Sequence, residues 1–504
     1  MNHPLSLKSD PNLSLIPQSI VSHEDLEFGL SNAGSNRQLV ILAAKGEPRL
    51  KPFEGGRSAI GGKMLLKGPL SAANAAALRE LLPWLRPQLL VLKTSAGMGD
   101  RLGMATPGHV RAVRTCNGRV APIFAQQSIR EMTRTGRSPQ QVMDDAMWGV
   151  FQENWQDGFG ADADHLKSQT DIDACLDAGF TFFTIDPGEF VNDRADDLSL
   201  EDLRIQALDI PSALRMSEND LLNHSHAVEG VTIHFSEAIL LRAMVKYGHA
   251  VWHVFNMYEH LRAASAGKPF ELEVSVDETK SPTSHAEHYY IAHELKRLGV
   301  QWVSLAPRFV GDFEKGVDYI GDVTAFDQDI AGHAAIARLL GPYKISLHSG
   351  SDKFSIYPAA AHRTRGLVHL KTAGTSYLEA IRTIAETDPL FFKEIYEFGL
   401  SRYEQDKLSY HVSARLDRAP GVREFGTPND YLENFDAREI LHVTFGSVLK
   451  EKNSDGAWRF YDRLIALLAQ FPEAYASNLE QHFTRHLAPF CLEAKTQQTT
   501  RNNG

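Results

Sequence analysis

Cysteine is scarce in this chain of 504 residues, and Cys116, Cys175 and Cys491 lie far apart. Three widely spaced cysteines predict neither a disulfide framework nor a zinc cluster, so a reducing, cytoplasmic location is expected. No apolar run approaches the length of a membrane span. Met1–Asn12 also lacks the apolar segment of a signal peptide. We therefore expect no membrane partner.

Basic residues are fewer than acidic residues in this chain. Lys and Arg total 52 against 63 for Asp and Glu, which gives a formal net charge of −11. This balance argues against nucleic acid or an anionic surface as the main partner. Hydrophobic residues make up 43% of the chain and charged residues 23%. That composition is typical of a folded globular protein with a large core.

Eight short apolar stretches are separated by helix-length segments, and each ends in charged or metal-capable residues. This order predicts an α/β fold, a (β/α)8 TIM-type barrel, in which the chemistry lies where strands end and loops begin. The predicted strands are Leu89–Ser95, Val120–Gln127, Gly160–Lys167, Thr181–Asp186, Phe270–Asp277, Trp302–Arg308, Lys344–His348 and Leu367–Thr372. The residues expected at the barrel mouth are Lys93, Gln127, Asp164, His165, Asp186, Asp277, Arg308, His348 and Lys371.

The remaining segments predict additions to the barrel. Residues 1–70 are expected to form an N-terminal extension packed on a catalytic barrel of residues 71–390. Residues 190–268 are too long for a simple connection after the fourth strand, and they predict a helical insertion. Residues 391–504 predict a mostly helical C-terminal extension. The insertion is expected to hold two or three helices, including Ser236–Tyr247 and Val251–Ala266.

Strand alternation predicts which side chains point into the barrel. In the fifth strand, Leu272 and Val274 suit the surrounding helices, which places Glu273 and Asp277 inside. So many charged groups in a barrel interior are costly unless they pair with one another or bind a ligand. A structural ion-pair network is the alternative to a functional site. The same test places Lys93, Arg308, Lys344, His348, His369 and Lys371 inside.

The third predicted strand is less regular. Alternation places either Asp162 and Asp164, or Ala163 and His165, inside the barrel, but not both pairs. A bulge or turn at Asp164–His165 would expose both of these residues to the mouth. A histidine beside an aspartate at a strand end is a candidate metal ligand, because carboxylates commonly orient imidazole ligands.

Three loops rich in glycine and serine indicate an anion site. Ser95–Arg101, His348–Lys353 and Lys371–Ser376 follow the first, seventh and eighth predicted strands, which are neighbours in a closed barrel. Backbone N–H groups and a helix N-terminus at this place commonly bind phosphate, and a carboxylate would be held in the same way. Lys93, Lys371 and Arg308 would supply the positive charge. The expected substrate contacts are Lys93, Gln127, Asp186, Asp277, Arg308, Ser349, Asp352 and Lys371.

Several long and unusual motifs lie between about Leu65 and the C-terminal helices. They are LKTSAGMGDRLGMATPGH (Leu92–His109), PIFAQQSIREMTRTGRSPQQVMDDAMWGVF (Pro122–Phe151), GFGADADHLK, FTFFTIDPGE (Phe180–Glu189), SLAPRF, LHSGSDKFSIYP and HLKTAGTSYLEAIR. These motifs resemble those of the tagaturonate epimerase family. The family interconverts D-tagaturonate and D-fructuronate, so the resemblance implies a keto-sugar acid substrate, a divalent metal ion, an acid–base pair and a barrel fold.

The resemblance also implies roles for individual residues. Asp164 resembles the proton acceptor and Glu273 the proton donor of the family. His165 and His348 resemble two of the metal ligands. Glu278 is an alternative to Glu273, because it lies on the loop just past the same strand.

The third metal ligand is left open by the resemblance. We expect His369, because it faces inward on the strand next to His348. Asp277 and Asp312 are the alternatives. Ligand sets of this kind suit Mn²⁺, Zn²⁺, Co²⁺ or Ni²⁺ alike, so the metal is not specified.

The reaction implied by the family inverts a carbon that is not directly alpha to the ketone. Simple enolisation is therefore insufficient, and retro-aldol cleavage with re-closure is a second possible route. Two other functions are compatible with the sequence. A metal-dependent aldolase or isomerase acting on a sugar phosphate would use the same barrel, metal and anion loops. A non-catalytic sugar-acid sensor is disfavoured, because it needs no acid–base pair beside a metal.

Overall fold

The computed structural model describes residues 6–9, 13–33, 36–348, 350, 352–372, 374–422 and 427–492. The strands in these residues fall into three sheets. They are β1 (Val21–His23), β2 (Leu26–Ala33), β3 (Asn36–Ala44), β4 (Gly56–Ile60), β5 (Lys63–Gly68), β6 (Ser95–Gly97), β7 (Ala121–Ser128), β8 (Gly160–Leu166), β9 (Phe182–Ile185), β10 (Ser225–Val228), β11 (Val231–His234), β12 (Glu271–Val276), β13 (Ser304–Pro307), β14 (Lys344–His348) and β15 (Val368–Lys371).

Helices follow most of the strands and make up nearly all of the C-terminal part. They are α1 (Ala72–Leu81), α2 (Thr106–Arg114), α3 (Ile129–Thr135), α4 (Pro139–Gln152), α5 (Gln169–Asp177), α6 (Leu200–Ala207), α7 (Ser212–Arg215), α8 (Glu218–Leu221), α9 (Glu237–Ala264), α10 (His285–Arg297), α11 (Val323–Leu340), α12 (Tyr357–Thr364), α13 (Thr375–Thr387), α14 (Pro389–Asp406), α15 (Pro428–Glu433), α16 (Phe435–Val443), α17 (Phe445–Lys450), α18 (Tyr461–Gln470) and α19 (Pro472–Leu492).

Eight parallel strands close into a barrel in the order β6, β7, β8, β9, β12, β13, β14 and β15. The last strand pairs with the first, with Lys371 opposite Gly97, and this contact closes the barrel. The predicted barrel is therefore confirmed. Because all strands run the same way, their carboxyl-terminal ends lie at one face of the barrel.

The first barrel strand is shorter than predicted. Only Ser95–Gly97 pair with neighbouring strands, and the residues before them form a turn. Glu271 holds this turn, because its carboxylate accepts the backbone N–H groups of Leu90 and Val91. Lys93 consequently lies on the surface at the amino-terminal end of the barrel. Its predicted position inside the mouth is wrong.

The insertion after β9 is confirmed, but its internal structure differs from the prediction. The two expected helices are one continuous helix, α9, and a short hairpin of β10 and β11 precedes it. Gly248 lies where a break between the two helices was predicted. A Cβ atom at this position would lie 2.9 Å from the side chain of Ile210, so the glycine permits close packing within an unbroken helix.

The N-terminal and C-terminal segments pack on the barrel. β1–β5 form an antiparallel sheet, and Phe28 and Ile41 of this sheet share one hydrophobic core with Leu78 of α1. The C-terminal helices are confirmed, and α19 packs tightly on α2, where Gly108 leaves room for Leu479. The domain limits at residues 70 and 390 stay predictions.

Two of the three cysteines are paired. Cys116 and Cys491 form a disulfide across 375 residues of sequence, whereas Cys175 is buried and free. The expectation that the cysteines form no disulfide is therefore wrong. The bond arises because α19 returns to the end of α2, and sequence spacing contains no sign of that return. Across the described residues, the helices are too short or too polar to cross a bilayer.

Candidate active site

Two imidazoles and a carboxylate meet at the carboxyl-terminal face of the barrel. His165 and His348 lie at the ends of β8 and β14, and Asp277 directly follows β12. Asp277 Oδ1 lies 3.4 Å from His348 Nδ1 and 3.8 Å from His165 Nε2. We call these three residues the mouth cluster. Their ligand atoms all lie within 4.8 Å of one another, which is close enough to share one cation.

A carboxylate holds each histidine of the mouth cluster on its other nitrogen. Asp164 Oδ1 lies 2.7 Å from His165 Nδ1, and Glu273 Oε1 lies 2.8 Å from His348 Nε2. Burial opposes protonation of both imidazoles, yet the neighbouring carboxylates raise the pKa of each. Such a carboxylate fixes the ring and directs the remaining nitrogen to the cluster, as second partners of metal-binding histidines do.

A bulge in β8 brings both Asp164 and His165 to the mouth. The pairing of β8 with β9 shifts register between Ala163 and Leu166, and His165 has a φ of 52°. This left-handed conformation is uncommon for a residue with a side chain. It breaks the alternation that would otherwise expose only one of the two residues. The predicted bulge is confirmed, and backbone strain of this kind is concentrated at functional sites.

A buried lysine joins the carboxylates beneath the mouth cluster. Lys371 Nζ lies 2.7 Å from Asp164 Oδ1, 2.8 Å from Glu273 Oε1 and 2.9 Å from Asp162 Oδ2. Burial lowers the pKa of Lys371, but the three carboxylates together raise it well above its ordinary value. Burial also raises the pKa of Asp162 to about 7, against the opposing effect of Lys371. Lys371 therefore balances buried negative charge.

The mouth cluster lies in a recess that opens into an outer cavity of about 600 Å³. Asp277, Glu278 and His348 line both spaces, so the two are continuous. A volume of this size accommodates a small organic ligand. The basic and polar side chains of the recess wall are Arg101, Arg130, Arg134, Lys315, Tyr410 and His442.

Comparisons with known proteins place this barrel in a family. The profile of the tagaturonate epimerase family matches residues 16–490. The chain belongs to the tagaturonate epimerase family. It is 42% identical over 468 residues to the tagaturonate/fructuronate epimerase of Thermotoga maritima, covering 92% of this chain and 94% of that relative. The chain is therefore an epimerase, of the isomerase class.

Solved structures of the family have the same fold. The crystal structure of the fructuronate-tagaturonate epimerase of Cohnella laeviribosi with one glycerol is 35% identical in sequence and superposes with a TM-score of 0.89. That match covers 94% of this chain and 96% of the other. The native crystal structure of the same enzyme gives a TM-score of 0.88 at 36% identity, with the same coverage.

The structure of this epimerase places His369 outside the mouth cluster. His369 precedes Lys371 by two residues on β15, so it occupies an inward layer deeper in the barrel. Its Nδ1 lies 2.9 Å from Ser95 Oγ. Asp277, one of the alternatives for the third ligand, occupies the position beside the two histidines instead. Asp312, the other alternative, lines the outer cavity.

Two further predicted residues turn away from the recess. The pairing of β7 with β8 shifts register between Ile123 and Ala125, ahead of Gln126 and Gln127. Gln126 lines the recess, whereas Gln127 Oε1 accepts a hydrogen bond from Arg137 Nη1 at 3.4 Å. Asp186 is buried after β9, where its carboxylate accepts the backbone N–H of Gly188 at 2.9 Å. It lines neither the recess nor the outer cavity.

The predicted anion-binding residues are dispersed. Arg308 lines the outer cavity, and Lys93 lies at the opposite end of the barrel. Asp352 is buried against the C-terminal helices, with Oδ2 2.7 Å from Arg438 Nη2, and is separate from the mouth cluster. Ser349 lies outside the described residues.

Sequence reasoning missed the basic wall of the recess. Arg130 and Arg134 lie one turn apart on α3, directly after β7. Arg101 follows β6 and Lys315 lies in the loop after β13. All four residues follow the carboxyl ends of barrel strands. The expectation that functional residues lie at these ends could therefore have identified them from the sequence.

The C-terminal extension contributes two residues that no strand pattern could reveal. Tyr410 follows α14 and His442 lies on α16, yet both line the recess. His442 is fully buried, and burial lowers its pKa well below the ordinary value. A Cβ atom at Gly374 would collide with His442 Nε2 at 1.9 Å. The glycine after β15 therefore makes room for this histidine.

Proposed function

We propose that the chain interconverts D-tagaturonate and D-fructuronate with a divalent cation held by His165, His348 and Asp277. Family membership and the name of the Thermotoga maritima relative support the substrate pair. The observation that carries the metal is the convergence of His165 Nε2, His348 Nδ1 and Asp277 Oδ1 in the recess.

The residues of the mouth cluster fit such an ion. Two imidazole nitrogens and a carboxylate oxygen form a ligand set that suits Mn²⁺, Zn²⁺, Co²⁺ or Ni²⁺. Asp164 and Glu273 already hold the outer nitrogens of both histidines, which fixes the rings in a ligating orientation. When bound, the ion would act as a Lewis acid toward the ketone and a neighbouring hydroxyl of the sugar acid.

Asp164 is the proposed proton acceptor because its carboxylate lines the recess. Burial would raise its pKa, but His165 and Lys371 lower it below the ordinary value, so the group is ionised. An ionised carboxylate can take the proton whether it leaves a carbon or, in the retro-aldol route, the hydroxyl of the inverted carbon. Within the basic wall, Arg130, Arg134 and Lys315 would bind the acid group of the substrate, whereas Arg101 is paired with Glu131.

Glu273 is the proposed proton donor, and Glu278 is the alternative. Glu273 is fully buried beneath the recess, and its Oε2 has no hydrogen bond to another described residue. Glu278 is partly exposed and lines both the recess and the outer cavity. Glu273 follows the family resemblance, whereas Glu278 has the more accessible carboxylate.

Glutamine variants distinguish the two glutamates. If Glu273 is the donor, Glu273→Gln should lower kcat on the order of a hundredfold or more, and Glu278→Gln should change it far less. The rate of D-fructuronate formation from D-tagaturonate measures both, with the midpoint of thermal unfolding as a check on folding. The opposite ranking would assign the donor role to Glu278.

Metal removal tests the cluster itself. EDTA treatment should abolish the epimerase activity, and His348→Ala or Asp277→Asn should lower the metal content measured by elemental analysis. His369→Gln is the matched control, because His369 lies deeper in the barrel and its loss should leave the mouth metal in place. Full activity of the metal-stripped protein would contradict the proposal.

The basic wall predicts selectivity for the acid group. Lys315→Met should reduce kcat/KM for D-tagaturonate by about ten- to a hundredfold, the effect of losing a charge-assisted contact worth roughly 1.5–3 kcal/mol. The neutral sugar tagatose should be a poor substrate of both proteins and nearly insensitive to the change. Lys280→Met, on the exposed rim of the outer cavity, is the control. Equal efficiency on tagatose and D-tagaturonate would exclude this role of the wall.

A further inference from the structure

A second group of donor atoms is buried between the loop after β14 and the last helix, α19. His482 and His486 lie one turn apart on α19. Their Nε2 atoms lie 2.9 and 3.2 Å from Asp352 Oδ1, and 3.0 Å from each other. We propose that Asp352, His482 and His486, here called the helix cluster, bind a second divalent cation of the zinc type.

The distances within the helix cluster suit a tetrahedral ion. Zinc binds imidazole nitrogen and carboxylate oxygen at about 2.0–2.2 Å, so two of its ligand atoms lie roughly 3.3–3.5 Å apart. The three separations in the helix cluster are 2.9, 3.0 and 3.2 Å. The ligand atoms would therefore need to move apart by only a few tenths of an ångström.

The outer nitrogens of both histidines also have partners. His482 Nδ1 lies 3.3 Å from Glu379 Oε1, and His486 Nδ1 lies 3.0 Å from the hydroxyl of Tyr357. Partners on the outer nitrogen are the usual surroundings of a metal-ligating histidine, because they fix both the tautomer and the ring. The helix cluster has them on both of its histidines.

Three potential ligand atoms converge on one point at the centre of the helix cluster. Asp352 Oδ1 and the Nε2 atoms of His482 and His486 all lie within 3.2 Å of one another. A divalent cation between them would satisfy all three atoms at once. The alternative is a hydrogen bond from His482 Nε2 to Asp352 Oδ1 without an ion.

The surroundings of the cluster favour a fixed, structural ion. Arg438 binds Asp352 Oδ2 at 2.7 Å, which leaves Oδ1 directed at the histidines. The ring of Phe354 packs against both imidazoles. The ion would thus fasten α19 to the loop whose Gly350 lines the recess. This site shares no residue with the mouth cluster.

Metal stoichiometry tests the proposal. Protein incubated with zinc chloride and then dialysed should hold two zinc ions per chain by elemental analysis. His348→Ala and His486→Gln should each leave one ion, and the double variant none. If the protein holds a single ion, and that ion is lost in His348→Ala but kept in His486→Gln, the helix site is overturned. The contact between His482 and Asp352 would then be an ordinary hydrogen bond. A single ion with the opposite dependence would support the helix site and contradict the mouth site.

Anomalous scattering at the zinc absorption edge gives a test that needs no variant. Crystals of the unaltered protein, soaked in zinc chloride, should show a peak within bonding distance of Asp352 Oδ1 and the two Nε2 atoms. The absence of that peak, with a peak present at the mouth cluster, would overturn the proposal even if the His486→Gln protein failed to fold.

Discussion

Replacing Asp164 with asparagine should lower the turnover number on the order of a hundredfold or more. The amide oxygen can still accept a hydrogen bond from His165 Nδ1, so the ring keeps its orientation, but the side chain can no longer accept a proton. Initial rates of D-fructuronate formation measure the loss. Elemental analysis should show an unchanged metal content, which separates a catalytic role from a role in holding His165.

Asp162→Asn is the matched control for this variant. Asp162 lies two residues earlier on the same strand and also contacts Lys371, but it does not line the recess. Because its pKa is raised to about 7, a neutral amide resembles a form that the residue already adopts. Its turnover should stay within roughly tenfold of the unaltered protein. Equal losses in the two variants would show that Asp164 acts through the ion network alone.

Replacing Lys371 with methionine should destabilise the barrel by about 3–5 kcal/mol, the usual cost of removing one partner of a buried ion pair. Three carboxylates, Asp162, Asp164 and Glu273, would lose their shared cation in a fully buried position. The midpoint of thermal unfolding at neutral pH measures the effect. Lowering the pH should restore part of the stability, because protonation removes the uncompensated negative charge.

Lys93→Met makes the same chemical change at an exposed position on the opposite end of the barrel. It should alter the stability by no more than about 0.5 kcal/mol. If Lys371→Met unfolded at the same temperature as Lys93→Met, the lysine would not be the principal counter-charge of the barrel interior.

Regular strands made part of the site predictable. Alternation along β12 correctly placed Glu273 inside, with Leu272 and Val274 against the helices, because the side chains of a strand alternate strictly between two faces. The same logic located His348 and Lys371 on β14 and β15. The barrel itself was predictable from eight such strands with helical spacers.

Prediction failed where the backbone departed from that regularity. On β7, which has a register shift, Gln126 rather than the predicted Gln127 lines the recess. Because β6 begins only at Ser95, Lys93 lies outside the barrel mouth. Both differences depend on strand pairing, which the sequence alone does not specify. His442 and the disulfide of Cys116 with Cys491 depend on contacts between segments hundreds of residues apart, which leave no periodic signal in a single sequence.

The contribution of His442 and Tyr410 to the recess has a consequence for biosynthesis. All eight barrel strands have been synthesised by Lys371, well before the ribosome reaches these wall residues and α19. The recess therefore gains this wall only when the C-terminal helices pack on the barrel. A chain that ended after the barrel would lack Tyr410 and His442, and one side of its recess would stay open.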